Sequence, residues 1–293
     1  MTDPTAKTIE YRGRRFTATE FEREFNPRIA AFDAVASSAT RERLSAQTRG
    51  RLASTLGIAY GERERETFDF FPAKGRLKAP VLVYIHGGYW RSGKSLDNSF
   101  IAESFVNAGI AAVILNYDLC PAVTIGDIVA QVRRAMPAIQ AKLPGLGADA
   151  TRLVLSGHSA GAHLVGMVLA HDWRATPAVP AAICGAVMLS GIYDVEPALN
   201  ISVNAEIRAT PADVAPYSPL RLPIVVPVPM VVAVGASEPY SWREQSWLYA
   251  AHARTHGCVV QVLEVPGDDH FGVVFRMHDA VDALTRAALA LFR

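Results

Sequence analysis

Cysteine is scarce in this chain: Cys120, Cys184 and Cys258 are the only three in 293 residues. They form no C-x-x-C pair and have no paired histidines nearby, which argues against both a disulfide framework and a zinc site. Buried free thiols in a reducing compartment are the expectation. A dominant charge is lacking too. Lys and Arg number 29 against 28 Asp and Glu, a formal net charge of +1, so no electrostatic case arises for a nucleic-acid or anionic-membrane binder. No run approaches the roughly 18 consecutive apolar residues of a membrane span. Residues 1–20, which include Asp3, Lys7, Glu10, Arg12 and Arg14, lack the apolar stretch of a signal peptide, and the cytoplasm is the expected location. Internal repeats and low-complexity tracts are missing as well.

What remains is apolar and patterned. Residues of the AVILMFWYC set make up 50% of the chain and charged residues 19%, enough for a sizeable core. Residues 1–60 read as a charged N-terminal helical extension, with Phe21, Phe25, Ile29 and Phe32 at helical spacing. Arg41, Arg43, Arg49 and Arg51 read as a solvated face, and Phe21 and Phe25 as candidates to close over a pocket. Residues 61–293 alternate strand-like and helix-like patterns, the order of a mostly parallel central sheet flanked by helices. The candidate strands are 67–71, 81–86, 111–117, 153–157, 186–190, 230–235 and 259–264. Several are almost wholly apolar, as strands covered on both faces are. Ile125, Ile128, Val129, Val132, Met136 and Ile139 mark one helix face, and Gly109 and Gly257 sit where helices stop. Residues 191–229 are rich in proline and break the alternation, which reads as a small lid or pocket wall.

The chemistry is carried by a few short segments. Gly157-His158-Ser159-Ala160-Gly161 lies between the apolar run 153–155 and a helical pattern, the setting of a nucleophile elbow. Small residues are needed there because the turn is tight and holds Ser159 in a strained, outward-pointing conformation. His86-Gly87-Gly88-Tyr89-Trp90 follows the strand at 81–86, and its glycines let backbone N–H groups face a cavity. With the N–H of Ala160, the N–H groups of Gly88 and Tyr89 make a candidate oxyanion hole. His86 reads as a support for that loop.

A serine hydroxyl needs a base. In an α/β-hydrolase the triad order is Ser, acid, His, and His270, after the last strand and before the helical pattern Met277, Val281, Leu284, is the candidate base. His163, His171, His252, His256 and His278 fall in helical stretches. The acid is expected in the loop after strand 230–235, which selects Glu238, with Asp194, Asp268 and Asp269 as rivals.

These motifs resemble the kynurenine formamidases (arylformamidases), α/β-hydrolases close to the hormone-sensitive-lipase-like esterases. The likeness runs through His-Gly-Gly-Tyr-Trp at 86–90, Asn116-Tyr117-Asp118, residues 157–163, 190–197 and 238–246, and Asp269-His270-Phe271. It implies Ser159 as nucleophile, Glu238 at the place of the family's Asp, and His270 as base. Two positions depart from the pattern: Glu238 replaces that Asp, and Gly272 follows His270-Phe271 where the family carries an acidic residue.

The resemblance implies a serine hydrolase that converts N-formylkynurenine to kynurenine and formate through an acyl-enzyme, without cofactor or metal. Trp90 and Phe271, with Tyr89, are candidates for the aryl slot. Arg243 or an N-terminal arginine is a candidate to hold the amino-acid end. The same triad would serve a broad carboxylesterase or aryl carbamate hydrolase, and a non-catalytic binding module on the same scaffold is the further alternative. The expected partner is a small aryl formamide or ester, with a homodimer allowed and neither nucleic acid nor membrane expected.

Overall fold

The structure is a computed structural model that describes residues 8–293. Among the described residues ten strands form two sheets. The hairpin β1 (Ile9–Tyr11) and β2 (Arg14–Phe16) stands alone. The other eight strands are β3 (Thr55–Ala59), β4 (Thr67–Phe71), β5 (Ala79–Ile85), β6 (Ala111–Leu115), β7 (Ala148–His158), β8 (Ile183–Leu189), β9 (Met230–Gly235) and β10 (Val260–Val265). They form one sheet in the order β10-β9-β8-β7-β5-β6-β4-β3. Pairing is parallel from β10 to β6 and antiparallel at β6/β4 and β4/β3. This mostly parallel sheet between helices is the α/β-hydrolase architecture.

The continuous apolar runs of the central strands are explained by burial on both faces. In β5, Val81, Val83 and Ile85 enter one core, while Leu82 and Tyr84 enter the other. β7 divides the same way, with Leu153 and Leu155 against Val154. Period-two side chains of a strand reach opposite faces, so covering both leaves no polar position. The helix Ile125–Lys142 buries the face read from its spacing, and Thr124 caps it reciprocally with Asp127. Gly109 and Gly257 both have positive φ just past a helix end, where glycine carries no Cβ penalty.

The helical reading of the N-terminal region is incomplete, because this region also contributes the β1-β2 hairpin and the edge strand β3. The periodic run from Phe21 to Phe32 is not one helix either. It divides into Ala18–Phe25 and Pro27–Ala30, since a residue before proline disfavours the α conformation. Phe21 and Phe25 are buried against Tyr11 and Phe16, whereas Ile29 and Phe32 are 53% and 76% exposed. The pattern Met277, Val281, Leu284 is likewise divided. Met277 belongs to a short 3-10 turn, Val281 is exposed, and the helix Ala283–Ala290 starts at its cap Asp282.

Residues 191–229 form short helical turns packed onto the body. Tyr193 stacks on Tyr249 at 4.2 Å, and Ser202 donates to Glu22 beside the N-terminal helix. The three cysteines are unpaired, with Cys120 and Cys258 buried and Cys184 partly so. Among the described residues no helix is long and apolar enough to cross a membrane.

Truncation within the β5–β7 core should show how much the sheet depends on it. Leu155→Ala should lower unfolding free energy by about 2–5 kcal/mol in urea denaturation, whereas Leu77→Ala at an exposed position should change it by less than about 0.5 kcal/mol. Equal effects of the two would contradict this packing.

Candidate active site

Because β5, β7, β9 and β10 are parallel, the segments that follow them emerge at one edge of the sheet. Ligands of open α/β sheets bind outside these carboxyl ends. The elbow follows β7, the Gly-Gly loop follows β5, Glu238 follows β9 and His270 follows β10.

Ser159 holds φ 57° and ψ −121°, a backbone conformation rarely adopted outside glycine. Its N–H donates to Leu189 O at 2.9 Å, tying the turn to β8. The glycine at 161 is required by close approach, since a Cβ there would collide with the Ile85 carbonyl on β5. In the loop after β5, Gly88, Tyr89 and Trp90 all have positive φ. The amides of Gly88, Tyr89 and Ala160 donate to no protein acceptor among the described residues. Ala160 also begins the helix Ala160–Leu169, where free amides and the helix dipole favour negative charge.

His270 Nδ1 meets Glu238 Oε2 at 2.8 Å, with both side chains almost fully buried. The other carboxylate oxygen of Glu238 accepts from Ser190 Oγ and from Gly235 N at 2.8 Å. His158 Nε2–H donates to the His270 carbonyl at 2.7 Å, and Trp242 packs edge-on to the His270 ring at 4.5 Å while its indole donates to Ser190 O. Burial pushes Glu238 upward, opposed by the Ser190 and Gly235 donors. Burial also pushes His270 downward, holding the imidazole in the uncharged form that a base requires.

Ser159, His270, Gly88 and Tyr89 line one cavity of about 220 Å³, together with Phe271. Val203 of the 191–229 segment contributes a wall, and Pro27, Arg28 and Arg41 bring the N-terminal region to it. Trp90 does not line it, which corrects the expectation of a substrate contact there. Its ring is fully buried, and its indole donates to His163 Nδ1 at 3.1 Å. Arg243 is likewise elsewhere, paired with Glu264 at 2.7 Å.

The rival acids have other partners. Asp194 accepts from Tyr11 and Arg221, clamping the hairpin to the 191–229 segment. Asp268 pairs with Arg276. Asp269 accepts from the Phe271, Gly272 and Phe32 amides, bracing the His270 turn. His86 stacks on Tyr117 at 4.3 Å, and burial pushes it down to about 4, in keeping with a neutral support. The sequence reading gave no role to Ser190 or Trp242, and Arg41, read there as part of a solvated face, is half-buried and lines the cavity instead. Ser190 had a local signal, since it ends a strand next to the elbow strand, but the contacts of Trp242 and Arg41 are long-range. Among the described residues no three His, Cys, Asp or Glu side chains converge as a metal cradle. A hydroxyl lining the cavity, a neutral imidazole oriented by a carboxylate, and amides without acceptors among the described residues are together suited to acyl transfer.

Comparison with known proteins agrees with this geometry. A family profile described as BD-FAE matches residues 69–174. The kynurenine formamidase of Salmo salar is 33% identical over 285 residues, covering 93% of this chain and 95% of that protein. The kynurenine formamidase of Danio rerio is 30% identical over 274 residues, covering 91% and 92%. A crystal structure provisionally described as a thioesterase, from a Silicibacter species, superimposes with a TM-score of 0.81 at 26% identity, covering 92% of this chain and 98% of that one.

The burial of Glu238 makes its own substitution informative. Glu238→Gln should lower kcat by about 10⁴-fold, because an amide cannot hold the imidazole in the same tautomer. A carboxyl raised by burial gives up its proton more readily in the unfolded chain, so the native state loses stability as pH rises above the ordinary carboxylate range. Glutamine lacks that slope. The Tm of the Gln variant relative to the native protein should therefore rise as pH climbs out of the ordinary carboxylate range and level off once native Glu238 is the carboxylate that orients His270, as read by calorimetry. A flat or falling difference would contradict the burial argument.

Proposed function

The chain belongs to the kynurenine formamidase family, and from that premise we propose that it cleaves the aryl formamide bond of N-formylkynurenine to give kynurenine and formate. The observation that carries this reading is the buried hydrogen bond from His270 to Glu238, with His270 lining the same cavity as Ser159.

His270 Nε2 accepts the Ser159 proton as Oγ attacks the formyl carbon, while Nδ1–H stays hydrogen-bonded to Glu238. The developing oxyanion is received by the amides of Gly88, Tyr89 and Ala160, donors with no competing acceptor among the described residues. Collapse of the tetrahedral intermediate breaks the C–N bond, and His270 returns its proton to the departing arylamine. Delocalisation of that nitrogen's lone pair into the ring makes it a better leaving group than an alkylamine. A water molecule deprotonated by His270 then attacks the formyl ester, releasing formate and restoring the Ser159 hydroxyl. Tyr89 and Phe271 on the cavity wall supply the flat apolar contact for the aryl ring. The unpaired thiols accord with a cytoplasmic setting.

A second reading, cleavage of an ester or thioester by the same steps, draws on the Silicibacter structure. Steady-state kinetics on N-formylkynurenine and p-nitrophenyl acetate discriminate the two. The formamidase reading expects the larger kcat/KM for the formamide and a loss of about 10⁶-fold in kcat for Ser159→Ala. Fast ester turnover beside negligible formamide turnover would favour the second reading, and full activity in Ser159→Ala would remove both.

A further inference from the structure

Four arginines project from the helix Ala34–Arg51, and one of them behaves differently. Arg49 donates to Leu96 O and Ser99 Oγ, Arg51 pairs with Glu103 at 2.8 Å, and Arg43 reaches Gln47 on the exposed face. Arg41 turns into the active-site cavity. Its Nη1 donates to Asn98 Oδ1 at 2.8 Å, and among the described residues it has no ion-pair partner. A guanidinium offers five N–H donors in a planar fork, so most of its capacity is unspent.

The surroundings sharpen the point. Arg41 is half-buried, its burial lowers its hold on the charge, and an anion facing the open side of the fork would offset that cost. Two acids also line the cavity: Asp97 favours the Arg41 charge without forming an ion pair with it and pairs with Lys94 at 3.5 Å, and Glu42 is exposed. Two further cations line the cavity, Arg28 at its exposed rim and Arg91, which pairs with Glu206. Arg41 and His270 line the same cavity, and after burial, the main cause, the Arg41 charge adds to what disfavours protonation of His270.

We propose that Arg41 is a specificity-determining residue that receives a substrate carboxylate, so that this cavity selects anionic aryl compounds over neutral ones of the same size. The proposal deepens the reading of this cavity as the hydrolytic site and names what holds the amino-acid end of its substrate. A carboxylate facing the fork can take two parallel N–H···O bonds, a geometry that a point-charge ammonium does not reproduce.

Binding separates this from the identity of the scissile bond. The intact protein is titrated calorimetrically with 4-oxo-4-phenylbutanoate and with 4-oxo-4-phenylbutanamide, which differ only in the acid group. The acid should bind at least about tenfold more tightly than the amide to the native protein. Arg41→Met should bring that ratio close to one with amide affinity changed less than about twofold, and Arg41→Lys should leave an intermediate ratio. Equal affinity of the two probes for the native protein, no detectable binding of the acid, or a ratio that survives Arg41→Met would each overturn the proposal. So would a ratio lost in Arg28→Met and kept in Arg41→Met. No turnover is read, so failure to hydrolyse N-formylkynurenine would count against the formamidase reading and leave this one standing.

Discussion

A carboxylate and an imidazole withdrawn from water together impose the condition that the rest of this active site meets. Glu238 and His270 are almost fully buried, and a buried charge is tolerable only when its remaining lone pairs are satisfied. Ser190 and Gly235 do this for the carboxylate, while Trp242 shields the imidazole and fixes Ser190 through its carbonyl. These partners come from β8, from β9 and from the helix that follows β9, so the pair can be held only where neighbouring parallel strands end together. The sheet is thereby part of the chemistry, since a change in strand order would separate the donors from the carboxylate they satisfy.

The N-terminal region completes the enclosure. Tyr11 reaches Asp194 at the start of the 191–229 segment, Glu22 holds Ser202 within it, and Phe32 N–H meets Asp269 beside His270. Residues before the first long strand therefore form one wall of the cavity and brace the loop that carries His270. A hydroxyl at a sheet edge is otherwise open to water, and enclosure strengthens each electrostatic contact inside. Arg41 belongs to the same wall, which joins the enclosure to the choice of ligand.

Much of this could be read from the sequence because the informative residues are local. The elbow at 157–161 and the loop at 86–90 are defined by glycines whose positions the turn geometry demands, and Glu238 and His270 follow strands whose apolar runs identify them. The candidate acid is harder to single out, since Asp194 also follows a strand. What separates them is the hydrogen-bond partners of each, Arg221 and Tyr11 for Asp194 and His270 for Glu238, and these are contacts across the fold. Strand β3 left little trace because its residues are mostly exposed and it pairs on one side only, so no buried face imprints a period. Trp90 suggested a substrate contact by adjacency to the glycines, but the left-handed backbone at 89 and 90 accompanies a ring buried against His163. Arg41 carries the same helical pattern as its exposed neighbours, and only the docking of its helix sets it apart.

The central claim is that Ser159, His270 and the three backbone amides act on one carbon. A crystal structure of the protein after reaction with a fluorophosphonate tests it most directly. The account requires phosphorus bonded to Ser159 Oγ, a phosphoryl oxygen within hydrogen-bond distance of the Gly88, Tyr89 and Ala160 amides, and His270 Nε2 facing Oγ. Phosphorus on another residue, or an oxygen turned away from those amides with the imidazole out of reach, would contradict it.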